Sequence, residues 1–153
     1  MKLGEKTMPI YMKYEGITGT GTGKYNGWIV LESCGLAQFA KARRDHEIFV
    51  TRLSDNASSQ LFGESVKSEG KKVTIDFVDA GKSVPWLSIE LENVMISSYS
   101  FSGSGGDRPM ESLSLNFTKI TLTNKPTAPT KDPKNAQEKT TWNFAVHNSR
   151  YYS

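Results

Sequence analysis

Most of the chain alternates between apolar and polar residues with the period of two that is typical of β-strands. Residues 10–15, 73–77 and 87–91 all alternate in this way, which would place their apolar side chains on one face of each strand. Residues 28–33 are instead almost continuously apolar, as in a strand that is covered on both faces. The pattern predicts a mainly β protein.

One long predicted strand, residues 111–123, changes its apolar phase midway. A β-bulge near Thr118 and Lys119 would restore a single inward face and bend the strand, which closure of a barrel requires. We also expect Asn93 to mark a short break between two strands, and residues 140–147 to form the last strand.

A single segment, about residues 57–68, has the apolar spacing of an α-helix, with Leu61, Phe62 and Val66 as its buried stripe. Residues that can cap its first turn precede it, and a glycine that can end it follows: Ser54, Asp55, Asn56 and Gly70. Several strands, one helix and more strands together predict an antiparallel two-sheet β-barrel with one flanking α-helix.

Composition indicates one globular domain of 153 residues, with 37% hydrophobic and 23% charged residues. The net charge of +3 is too mild to indicate a nucleic-acid partner, and no apolar run is long enough for membrane insertion. The single cysteine, Cys34, excludes an intrachain disulfide. Because residues 1–11 lack the apolar stretch of a secretory signal, we expect synthesis in the cytosol, and any export would have to use a route that needs no signal peptide.

Candidate chemistry is sparse, and we predict no enzymatic activity. The glycine-rich run at residues 16–24 lacks the Walker spacing, because Thr18 stands where the first glycine is needed and Tyr25 replaces the magnesium-binding hydroxyl. Neither His46 nor His147 has the spacing of a catalytic triad. No cluster of His, Cys, Asp and Glu has metal-ligand spacing, so no metal and no cofactor is expected.

A glycine turn separates two predicted strands near the middle of the chain. Gly103, Gly105 and Gly106 permit backbone angles that are closed to other residues, so the chain can reverse sharply there. Asp107 can hold the turn through local hydrogen bonds.

The block around this turn, residues 98–120, reads SYSFSGSGGDRPMESLSLNFTKI, in which the second strand begins as E-x-L-x-L-N-F. Three more blocks accompany it in a fixed order: residues 8–19 (MPIYMKYEGITG), 48–61 (IFVTRLSDNASSQL) and 141–148 (TWNFAVHN). Together the four blocks closely resemble the Hcp (haemolysin-coregulated protein) family of the type VI secretion system. The resemblance covers most of residues 8–148, which we take as the Hcp-like domain, with an N-terminal extension at 1–7 and a tail at 149–153.

The resemblance implies a structural function. Hcp subunits form hexameric rings that stack into the inner tube of a contractile injection machine, beside its spike and sheath proteins. The tube is expelled from the cell, and some members carry small effector proteins in the ring lumen and act as their chaperones. We therefore expect self-assembly, and export into the medium or a target cell.

By position, the resemblance also implies residue roles. Ser33 aligns with the polar residue that faces the channel, although a strand-end serine satisfied by the backbone is an equally good interpretation. The family's loop that reaches a neighbouring subunit matches a shorter, charged segment here: Ala40, Lys41, Arg43, Arg44 and Asp45.

Two alternatives remain open. A specialised secreted paralogue would be released as an effector without building tube. A monomeric barrel that carries a small apolar ligand would instead have an internal cavity, lined by Trp28, Phe77, Leu115 and Trp142.

Overall fold

The computed structural model describes residues 9–36, 47–79, 85–124 and 138–143. These residues form nine β-strands and one α-helix: β1 (Ile10–Tyr14), β2 (Ile29–Leu31), β3 (Ser33–Leu36), β4 (Glu47–Leu53), α1 (Ser58–Ser65), β5 (Lys71–Val78), β6 (Pro85–Ser102), β7 (Met110–Asn116), β8 (Lys119–Asn124) and β9 (Glu138–Asn143). The predicted extension at 1–7 and tail at 149–153 lie outside this description.

The strands pair antiparallel in two sheets that share β6. Sheet A has the order β2-β1-β5-β6-β8-β9, and sheet B has the order β6-β7-β4-β3. The first half of β6 pairs with β5 and β8, whereas Met95–Ser102 pair with β7. One strand of 18 residues therefore runs through both sheets.

The passage of β6 between sheets occurs at Asn93, which has a left-handed backbone with φ 56°. Asparagine tolerates this region better than most residues, and the strand continues through it with a register shift against β5. The predicted break at Asn93 is therefore wrong, because the chain bends there and stays paired.

The predicted strand at 111–123 is two strands, β7 in sheet B and β8 in sheet A. Phe117 and Thr118 lie between them, and the Thr118 N–H donates to the Glu92 carbonyl at 3.1 Å. The change of apolar phase thus marks a change of sheet.

The hydrogen-bonded path is open, with β2 and β3 at its two ends. These strands are consecutive and are separated only by Glu32, whose N–H donates to the Thr51 carbonyl at 2.7 Å. The mainly β, two-sheet class with one helix is confirmed. The predicted closure of the sheet into a barrel is not observed. At Glu32 the chain passes from sheet A to sheet B, so β2 and β3 are joined by the backbone and not by hydrogen bonds between paired strands.

The core lies between the sheets and consists of the alternating apolar residues, including Met12, Ile75, Leu91 and Leu115, all fully buried. Helix α1 packs on β6 and covers one side of this core with Leu61. The rest of the predicted helical stripe is wrong, since Phe62 and Val66 are 57% and 74% exposed. Phe62 is the next residue after the inward Leu61, so the helix rotates it away from the core by about 100°, and Val66 follows the last helical residue, Ser65.

Candidate functional site

Hydroxyl groups cover the solvent side of sheet B on all four of its strands. In one row across the sheet Ser33 lies opposite Thr51, Thr51 opposite Ser112, and Ser112 opposite Ser100. The neighbouring row contains Gly35, Phe49, Ser114 and Ser98, of which Ser114 is buried between its neighbours. We call the surface formed by these two rows the hydroxyl face.

Contacts between these side chains join the strands in pairs. The Ser33 and Thr51 hydroxyl oxygens are 2.5 Å apart, and the Ser98 hydroxyl lies 2.9 Å from that of Ser114. A register shift at Ser97 adds one more hydroxyl, which donates to the Glu47 carboxylate at 2.7 Å. Among the described strand residues that point to this side, Glu47 is the single charged one.

Ser33 is exposed on β3, where the resemblance implied a channel-facing residue. Its hydroxyl contacts Thr51 of the adjacent strand, which differs from a strand-end serine satisfied by the backbone. The next residue, Cys34, points the other way and packs against the core. Burial raises the pKa of its thiol to about 12, so Cys34 stays protonated at neutral pH.

The solvent side of sheet A has a different character. There Lys13 lies opposite Thr74, and Thr74 lies opposite Glu90. Further along the sheet, Glu92 and Lys119 form an ion pair of 3.2 Å. Among the described strand residues, the outer side of sheet A is therefore charged and that of sheet B is almost uncharged.

A buried arginine lies beneath one end of sheet B. Arg52 follows Ile48 and Val50 on the inner side of β4, and its side chain is 0% exposed. Its Nη1 donates to Glu111 Oε1 at 2.7 Å, and its Nη2 pairs with the Asp55 carboxylate. We call Arg52, Glu111 and Asp55, with the adjacent Ser54 and Ser58, the arginine cluster.

The arginine cluster keeps Glu111 ionised although Glu111 is buried. Burial by itself would raise the pKa of this carboxyl, but hydrogen bonds from Ser58, Ser54 and Arg52, with the charge of Arg52, lower it below its usual value. The ionised carboxylate in turn affects Tyr99. Burial, and then the charge and hydrogen bond of Glu111, raise the pKa of Tyr99 to about 12.

The predicted glycine turn is attached to this cluster. Gly106 has φ 96°, which glycine adopts without strain, and the Asp107 N–H donates to the Ser104 carbonyl at 3.3 Å. Arg108 follows the turn, and its Nε and Nη2 donate to the carbonyl of Ser54, 54 positions earlier in the chain, at 3.0 and 2.6 Å. The turn is thereby held against the segment that starts α1.

The predicted subunit-contact residues Ala40, Lys41, Arg43, Arg44 and Asp45 lie outside the described residues. The strand ends on either side of them are Leu36 and Glu47. Glu47 pairs with Asn116, whereas Leu53 at the other end of β4 pairs with Met110 beside the glycine turn. The connection from β3 to β4 and the glycine turn therefore leave sheet B at opposite ends.

The glycine-rich run at residues 16–24 binds its own backbone. The N–H groups of Gly19 and Gly21 donate to the carbonyls of Gly27 and Trp28 at 2.7 and 2.8 Å, so they do not form a phosphate cradle. A short 3-10 turn at Gly23–Tyr25 follows instead of an α-helix. An open pocket of about 690 Å³ adjoins this loop and is lined in part by Lys13, Trp28 and Lys72.

Within the described ranges, no three His, Cys, Asp or Glu residues are grouped as metal ligands would be. Of the helices in the same ranges, none has the length and apolarity to cross a membrane.

Sequence reasoning missed the hydroxyl face, apart from Ser33, and the arginine cluster. The first had a signal, because Ser98, Ser100, Ser112 and Ser114 occupy alternate positions, but only the register aligns them with Thr51. The arginine cluster had a weaker sequence signal: the alternation of β4 predicts an apolar residue at the position that Arg52 occupies.

The family model described as "Type VI secretion system effector, Hcp" matches residues 11–123. No curated protein sequence matches the chain.

Solved structures show the same fold. Hcp1 from Salmonella typhimurium has a TM-score of 0.77 at 16% identity, with 92% of this chain and 97% of that chain covered. A type VI secretion system effector from Yersinia pestis has a TM-score of 0.73 at 19% identity, covering 88% and 98% of the two chains. A protein described as a type six secretion system protein has a TM-score of 0.73 at 20% identity, with 92% and 98% covered.

Proposed function

The chain belongs to the Hcp family of type VI secretion proteins, and from this premise we propose that it builds hexameric rings that stack into the inner tube. Proteins of this family are structural and are secreted through the type VI system. The proposed partners are other copies of the chain, the spike and sheath proteins, and small effector proteins inside the ring. The proposed destination is the medium or a target cell.

The observation that supports this most is the hydroxyl face. A channel through which other proteins move needs a wall that is wetted but binds no single charge pattern, and serine and threonine hydroxyls both donate and accept hydrogen bonds. Four adjacent strands supply such a wall, with Ser33 and Thr51 at one side and Ser100 at the other. In our proposal this face lines the lumen and the charged side of sheet A faces outward.

The predicted subunit-contact segment and the glycine turn leave sheet B at opposite ends, which is compatible with head-to-tail contacts between copies. The segment containing Ala40 to Asp45 joins β3 to β4 at one end of sheet B, and the turn containing Gly103, Gly105, Gly106 and Asp107 lies at the other. A contact between unlike ends that is directed along the ring axis does not close, so in our proposal it would extend rings into a filament. The side-to-side contact between subunits must close after six copies.

Light scattering after size-exclusion chromatography tests ring formation. A ring would have six times the 17.0 kDa mass of one chain, and electron microscopy should show annular particles. A monomer that persists at high protein concentration would overturn the proposal.

Thiol labelling tests the placement of the lumen separately. In a Cys34→Ala background, Ser112→Cys would react with a small maleimide but much more slowly with a bulky polymer-linked maleimide. The control, Lys13→Cys on sheet A, would react with both. Equal labelling of both sites by the bulky reagent in an assembled ring would refute the assignment of sheet B to the lumen.

A secreted paralogue that builds no tube would share the fold, and electron microscopy would then show no stacked rings. The small-ligand carrier finds little support, because Leu115 is fully buried and Phe77 and Trp142 pack against the same core, while Trp28 lies beside the open pocket.

A further inference from the structure

We propose that the hydroxyl face binds apolar polypeptide segments, with Phe49 as its main contact and Met95 and Met110 as adaptable contacts on either side. The inference rests on the proposed function, because it assumes that this face is the wall on which cargo proteins lie. It adds the chemistry that the wall selects, which the family assignment does not supply.

Phe49 stands above its neighbours on the face. Its side chain is 44% exposed, and across the sheet it lies opposite Gly35 on one side and Ser114 on the other. Glycine has no side chain and serine a short one, so neither neighbour covers the phenyl ring of Phe49. Met95 and Met110 are both 37% exposed, and they pair with Asn116 and Leu53 toward the two ends of the same surface.

The three exposed apolar side chains, on a surface with few charges, indicate which class of ligand would bind there. A nucleic acid or another strongly charged ligand would lose hydration against this face without gaining a counter-charge along its strands, since Glu47 is the single charged residue among the described strand residues on this side. The charged Asp107 and Arg108 lie only at its edge, in the glycine turn beside Met110. A polypeptide segment with exposed apolar side chains can instead cover Phe49 and form hydrogen bonds to the surrounding hydroxyls. The flexible thioethers of Met95 and Met110 can pack against side chains of different shapes.

Phe49 has a possible structural role that the test must separate from binding. An aromatic ring opposite a glycine covers the glycine backbone, and Gly35 is in β3 at the end of the hydrogen-bonded path. If this were its only role, replacing Phe49 would lower stability and leave peptide binding unchanged.

The experiment uses the full chain in its assembled form and two fluorescein-labelled peptides. One peptide alternates leucine with serine, and the other alternates lysine with glutamate at zero net charge. Fluorescence anisotropy should show binding of the leucine peptide alone, with little change in affinity between low and high salt. Phe49→Ser should weaken it about 10-fold and Met95→Ser about 3-fold, as expected when a main and a secondary contact of an interface are removed.

Val30→Ser is the matched control. Val30 is 40% exposed, close to the value for Phe49, but it lies on the charged side of sheet A opposite Tyr11. Its replacement should leave peptide affinity unchanged.

The result that overturns the inference is a Phe49→Ser ring of normal mass that binds the leucine peptide as tightly as the unmodified ring. Equal weakening by Val30→Ser, or preference for the charged peptide, would overturn it as well. Light scattering on the same samples separates this failure from that of the proposed function, which would appear as the absence of rings before any peptide is added. If Phe49→Ser does not fold, the peptide affinity of Met95→Ser tests the inference instead, and an affinity equal to that of the unmodified ring would overturn it.

Discussion

Replacing Arg52 with methionine would test whether the arginine cluster stabilises one end of sheet B. Methionine has a similar length and keeps the apolar contacts of the side chain but removes both donor groups. It would leave Glu111, which is 1% exposed, and Asp55, which is 11% exposed, without their shared cation. The Ser54 hydroxyl, 2.9 Å from Glu111 Oε2, cannot replace that charge.

The expected loss is large because the remaining carboxylates are buried. Removing one partner of a buried ion pair costs about 3–5 kcal/mol. For a chain of this size each kcal/mol lowers the melting temperature by about 2–4 °C, so Arg52→Met should melt about 6–20 °C lower. Lys119→Met is the matched control: it removes one member of the ion pair with Glu92, whose side chains are 35% and 53% exposed. That pair contributes less than about 1 kcal/mol.

Thermal and urea unfolding, followed by circular dichroism from neutral to acidic pH, would measure both variants. Without Arg52 the pKa of Glu111 should rise, because only the hydrogen bonds from Ser58 and Ser54 then oppose the effect of burial, and protonation relieves the unpaired charge. The difference between Arg52→Met and the unmodified chain should therefore narrow as the pH falls. A loss no greater than that of Lys119→Met, or a difference independent of pH, would refute the reasoning.

Three further predictions follow from described contacts. The folded-state pKa of Glu111 is lowered, so the stability that its carboxylate contributes is complete above the ordinary unfolded pKa of about 4.3 and is lost as the pH falls through the lower folded value. Glu111→Gln should therefore be less stable at neutral pH, and its free energy of unfolding should depend less on pH on the acid side. Gly19→Ala should cost about 1–3 kcal/mol in urea unfolding, because the new Cβ would lie 2.6 Å from the Ile29 Cα, whereas Gly105→Ala, which meets nothing within 4 Å, should cost almost nothing. Equal values for the two glycine variants would contradict the packing of the glycine-rich loop. Arg108→Met should speed amide hydrogen exchange in the glycine turn and leave the exchange of β5 unchanged, since its hydrogen bonds to Ser54 join only the turn to the start of α1; uniform acceleration would contradict this.

The period of two was sufficient to predict the mainly β class, because it follows directly from the alternation of side chains along a strand. It could not show how strands connect in space. The phase change in residues 111–123 has two physical solutions, a bulge within one strand or a step from one sheet to the other. The chain uses the second, because β7 and β8 pair with different halves of β6.

Prediction of the candidate site had the same limit, because the sequence could identify single residues but not their partners across the sheet. Ser33 was identified through the resemblance, and its exposure on β3 agrees with a surface role, while its place in a lumen remains a prediction. The partners of Ser33 could not be found, because a slip of one residue between β3 and β4 would replace Thr51 with a buried neighbour. Arg52 could not be interpreted either, since its partner Glu111 is 59 positions away.

The strand shared by the two sheets has a mechanical consequence. A force applied to the surface formed by sheet A reaches sheet B through the covalent backbone of β6, without first passing through side-chain packing. To separate the two surfaces, β6 would have to lose either its pairing with β7 or its pairing with both β5 and β8. A subunit expelled by a contracting machine, as we propose, would therefore resist the sliding of one sheet past the other through its backbone as well as through its side-chain packing.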